Sequence, residues 1–60
     1  MSKAAIVALF EAMFILTDIR VILRRTAPNH RLGPGEREEV ESLIAGLEKQ
    51  VGVLKRELLL

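Results

Sequence analysis

Sixty residues hold one small unit, and half of them are apolar while only two are aromatic, both Phe, so the apolar mass is aliphatic and suited to helix packing. Cysteine is absent, which excludes a disulfide framework and a thiolate metal site. Nine Lys/Arg against eight Asp/Glu leave a net charge of +1, too little to call for a polyanionic partner by charge alone.

The first element in chain order is a helix over about 2–26, free of Gly and Pro, with Ser2 as its N-cap. Arg24 and Arg25 suit its last turn, where the helix dipole favours cations. Pro28 ends the segment by pushing Ala27 out of the helical region. Residues 27–35 contain two Pro and two Gly and read as the connecting loop. A second helix is expected over about 36–58. Pro34 and the acidic run Glu36, Glu38, Glu39 and Glu41 mark its start, since proline and carboxylates both suit a helix N-terminus. No repeat or strand-like alternation occurs, so the expected fold is an all-α antiparallel two-helix hairpin.

In helix 2, Val40, Ile44, Leu47, Val51, Leu54 and Leu58 follow 4-3-4-3-4 spacing, the pattern of a coiled-coil seam, and Leu43 widens it. Gly46 and Gly52 fall off that seam. Either a close backbone approach or tolerance on a solvated face accounts for them. A symmetry mate packed antiparallel on the middle of helix 2 would bring Glu41 toward Lys55 of the other chain.

Helix 1 carries more information, because at 100° per residue its polar side chains form two narrow lines rather than one broad face. Glu11, Asp18 and Arg25 make one line, and Thr17, Arg20 and Arg24 make the other. Between them lie two apolar faces. The first holds Ala5, Ala8, Leu9, Ala12, Ile15, Leu16, Ile19, Ile22 and Leu23, with alanines that admit a neighbouring helix closely. The second holds Ile6, Val7, Phe10, Met13, Phe14 and Val21. One hairpin partner covers only one of them. The expected hairpin core is Ile15, Ile19, Ile22, Val40, Ile44, Leu47, Val51 and Leu54, and the second face is expected to meet another chain. Unstapled chains below about 70 residues usually gain their missing burial by oligomerising, so a homodimer forming a four-helix bundle is the expected closure.

Residues 4–23 are long enough to span a bilayer, but Glu11, Asp18 and Arg20 each oppose insertion by about 2.5–3.5 kcal/mol near its centre. Glu11 also interrupts any secretory-type apolar run, so a cytoplasmic protein is expected. His30, the single histidine, has no Cys, second His or carboxylate at metal-ligand spacing. Glu11 and Asp18 lack the Glu-x-x-His element of bundle metal sites and read as a salt-bridging stripe. Gly33-Pro34-Gly35 lacks the Lys and Ser/Thr of a phosphate-binding loop. Neither catalysis nor a cofactor is therefore expected.

The resulting expectation is a non-enzymatic, homo-oligomeric interaction module, an assembly subunit or small regulator; a heterologous protein is the other candidate cover for the exposed face. Two alternatives have their own residues. Arg20, Arg24, Arg25 and Arg31 cluster around the end of helix 1 and the loop and form the candidate nucleic-acid contact of a small dimeric regulator. The neighbouring glutamates and the absence of stacking aromatics oppose it. The apolar helix 1 face could alternatively lie on a membrane surface. Leu58–Leu60 could extend the core, dock elsewhere or fray.

Overall fold

The computed structural model describes residues 2–59. Its two helices, α1 (Lys3–Arg25) and α2 (Pro34–Leu59), pack against each other as an antiparallel hairpin of 40 × 16 × 14 Å. The expected all-helical class therefore holds. What a single hairpin buries is small: Ala5, Ala8, Ala12 and Ile22 are the buried apolar residues among those described, and none of them belongs to α2.

Local chemistry fixes both ends of each connection. The Ser2 hydroxyl accepts the Ala5 N–H at 3.1 Å and donates to Glu57 Oε1 at 2.8 Å, so the cap of α1 also ties it to the last turn of α2. At the other end, α1 stops at Arg25 and Thr26 caps it, its Oγ1 donating to the Ile22 carbonyl at 3.0 Å. The chain then turns through a cis Ala27–Pro28 bond and His30, whose φ of 55° lies in the left-handed region and whose N–H donates to the Thr26 carbonyl at 2.7 Å. Helix α2 begins at Pro34, two residues before the expected start at 36, because Gly33 serves as its N-cap. Glu36 Oε1 accepts the Gly33 N–H at 3.2 Å, the carboxylate half of a capping box, while the Arg37 N–H donates to the Gly33 carbonyl at 2.8 Å as the first intrahelical bond.

The seam on α1 runs through Ala5, Ala8, Ala12, Ile15, Ile19 and Ile22, all buried or half-buried and spaced three and four apart. It continues to the half-buried Thr26. On α2 Val40, Leu47 and Leu54 lie on the seam as expected, while its alternate members stand one residue before the expected Ile44, Val51 and Leu58. Glu36, Val40, Leu43, Leu47, Gln50, Leu54 and Glu57 are half-buried in 4-3-4-3-4-3 spacing. Ile44 and Val51, expected in the hairpin core, are instead 39% and 40% exposed and flank that line. Both lines occur in the sequence and share Val40, Leu47 and Leu54, and only the position of α1 selects between them.

Glutamates occupy the two ends of the α2 seam because each has a partner from α1. Glu36 lies 4.0 Å from Arg25 and Glu57 accepts the Ser2 hydroxyl. In the middle, side-chain size alternates across the interface. Gly46, far from lying off the seam, is half-buried, and a Cβ there would stand 3.4 Å from Ile15 Cδ1. Bulk on α1 is thus met by its absence on α2. Gly52 has nothing within 4 Å of its Cβ position, so tolerance on an open face accounts for it.

Candidate interaction surface

Three contacts set the register: Ser2 with Glu57, Ile15 with Gly46, and Arg25 with Glu36. Residue i of α1 therefore lies level with about residue 60 − i of α2. A second contact sets the sides. Arg25 reaches Glu39 at 3.7 Å, so the Glu11–Asp18–Arg25 line of α1 and the Glu39–Gly46–Val53 line of α2 share one flank of the hairpin. That flank is charged and partly closed by ion pairs.

The opposite flank is aliphatic on both helices. Leu9, Leu16 and Leu23, seven residues apart on α1, are 42%, 52% and 46% exposed. Ile44, Val51 and Leu58, with the same spacing on α2, lie along the same flank. The register sets Leu9 level with Val51 and Leu16 level with Ile44. Together they form a ledge two helices wide; periodicity alone sets these residues on the two sides of the hairpin interface, and all six are instead exposed beside it.

A third surface is the outer side of α1. Ile6, Val7, Phe10, Met13, Phe14 and Val21, expected to meet another chain, are all exposed in the single hairpin, Phe14 the most at 66%. The Thr17 hydroxyl donates to the Met13 carbonyl at 2.9 Å, satisfying itself within the helix. Cations bound this face lengthwise, because Lys3, Phe10, Thr17 and Arg24 recur at seven-residue spacing on the side remote from α2.

The four arginines of the candidate nucleic-acid contact do not form one free patch. Arg25 faces Glu36 and Glu39 on the first turns of α2, and these half-exposed pairs contribute at most about 1 kcal/mol after screening. Arg37, beside them, pairs with Glu41 at 3.6 Å. Arg20, Arg24 and Arg31 are exposed. At the far end of α2, Gly52 leaves an open depression rimmed by Lys49, Val53, Lys55, Arg56 and Leu59, with Arg56 also 3.6 Å from Glu57. Among the described residues, no group of three or more His, Asp or Glu is placed to hold a metal ion. No helix there is long and apolar enough to cross a membrane. Leu59 is 78% exposed, and Leu60 lies outside the described residues.

Among the described residues, the apolar surfaces of the two-helix hairpin are therefore its candidate functional features. No protein-family model, curated protein or solved structure matches the chain.

Proposed function

We propose that this protein is a non-enzymatic interaction module that works as a homo-oligomer, two hairpins closing into a four-helix bundle that serves as an assembly subunit or small regulator. The observation that carries this reading is the imbalance of burial. Among the described residues, fourteen large apolar side chains are at least 37% exposed in the single chain, whereas Ile22 is the one large side chain fully buried. Apolar surface of that extent on a small fold marks an association site or aggregates.

Solution mass by light scattering between about 1 and 100 µM tests the proposal, with twice the chain mass of 6.7 kDa expected at the upper end. A compact, cooperatively melting monomer throughout that range would overturn it. The Arg-rich alternative is tested by titrating duplex RNA and DNA at two salt concentrations, because phosphate contacts weaken steeply with salt. The pairing of Arg25 with glutamates weighs against that reading.

A further inference from the structure

Resting on the homo-oligomeric reading, we infer that the second copy seats on the ledge of Leu9, Leu16, Leu23, Ile44, Val51 and Leu58, crossed so that α1 of one chain lies on α2 of the other. Surface area sets the scale. A globular chain of 6.7 kDa exposes roughly 3,900 Å², and the hairpin exposes 4769 Å². The surplus of about 850 Å² matches the ~800 Å² that each partner buries in an interface of standard size, so one interface of this kind brings the chain to an ordinary surface.

Charge then selects the face. Two copies meeting through the outer side of α1 about its middle would set Lys3 opposite Arg24 of the other chain in the antiparallel arrangement. In the parallel one, Arg20 and Arg24 would each face their own copies. Cations meet cations either way, and like charges held together are destabilising. On the ledge the bordering charges are of both signs: Arg20 edges it on α1, and Glu41, Glu48 and Lys55, at seven-residue spacing, edge it on α2, where Glu41 also pairs with Arg37.

Charge also selects the arrangement. A two-fold axis running along the helices places α1 over the partner's α2 at the same level. Arg20 of each chain then stands level with Glu41 of the other, and Leu16 and Ile44 from both chains fill a single layer. The alternative axis, across the helices, stacks α2 on its own copy. It pairs Glu41 with Lys55 but brings Glu48 to Glu48 at the axis, a like-charge contact that the crossed arrangement lacks.

The test compares single variants of the full chain by sedimentation or light scattering. Arg20 and Glu41 are both exposed in the hairpin, so their exchange leaves its apolar packing intact, and the Arg37–Glu41 pair that Glu41→Arg also loses is exposed and contributes little to the monomer. Arg20→Glu and Glu41→Arg are each expected to raise the dimer dissociation constant roughly tenfold, two exposed pairs being replaced by like charges, and the double variant to restore it. Leu16→Glu is expected to give monomer or unfolded chain, and Phe14→Glu to leave the dimer mass unchanged. Dissociation by Phe14→Glu with Leu16→Glu still dimeric would move the interface to the outer side of α1 and overturn this proposal while sparing the homodimer. Failure of the double variant to recover affinity would overturn the crossed arrangement. A monomeric wild-type chain would instead remove the underlying reading.

Discussion

Gly46 and Gly52 are the same residue six positions apart on one helix, yet their surroundings assign them opposite roles. A side chain at 46 points at Ile15, whose Cδ1 is 3.4 Å from the Cβ position, whereas one at 52 meets nothing within 4 Å. Gly52→Ala is therefore expected to stabilise the hairpin by about 0.5–1 kcal/mol through helix propensity. Gly46→Leu is expected to destabilise it by about 1–3 kcal/mol through overpacking against Ile15. Denaturant unfolding of the two variants side by side checks both, and a stabilised Gly46→Leu would show that the helices separate there without penalty. Ser2 has two bonds to lose, one at its own helix N-terminus and one to Glu57, so Ser2→Ala should cost about 1 kcal/mol. The cap was readable from the sequence because it is local. Its reach to a residue 55 positions away was not.

Each helix is specified along its length by caps and breakers that act within a few residues, which explains why both were readable to within about two positions. Their packing follows a different logic. The N-terminal half of the α1 seam is alanine and the C-terminal half isoleucine, so the helix presents a shallow groove followed by a ridge. By register, alanines at 5, 8 and 12 receive the stretch of α2 that includes Leu47 and Leu54, and the isoleucines meet the stretch that includes Gly46. Enlarging the groove side by Ala8→Leu is expected to cost about 1–3 kcal/mol, since Ala8 is only 1% exposed. Ile22→Ala, at a position equally buried, removes the largest fully buried side chain and should cost about 2–5 kcal/mol. Circular dichroism melts of the two variants measure these losses, and near-wild-type melting of Ile22→Ala would contradict the assigned seam.

For the whole molecule the governing quantity is the ratio of buried to exposed apolar surface, which a hairpin 14 Å across in its thinnest direction cannot bring near that of a globular domain. Stability coupled to association has a plain signature. The melting temperature should rise with chain concentration, because dimerisation draws on the folded state by mass action. Melts at 2 and 200 µM check this, and coincident transitions would indicate a hairpin that stands alone.

Sequence alone determined the two helices, the loop between them, their antiparallel course and the conclusion that α1 has more apolar surface than one neighbour covers. These follow from local backbone chemistry and helical periodicity, which depend on residues at most a few turns apart. Only the tertiary structure decided which of two overlapping lines on α2 faces α1, moving the alternate seam positions from Ile44 and Val51 to Leu43 and Gln50, with Glu36 and Glu57 at the ends. The physical reason is that both lines are sufficiently apolar to pack, so the choice falls to contacts between distant residues. Arg25 with Glu36 and Glu39, Ser2 with Glu57, and Ile15 with Gly46 fix the rotation of one helix against the other. That rotation also turns the leucines of α1 and Ile44 and Val51 of α2, which periodicity alone sets inside the hairpin interface, out to one side, where they make one continuous ledge.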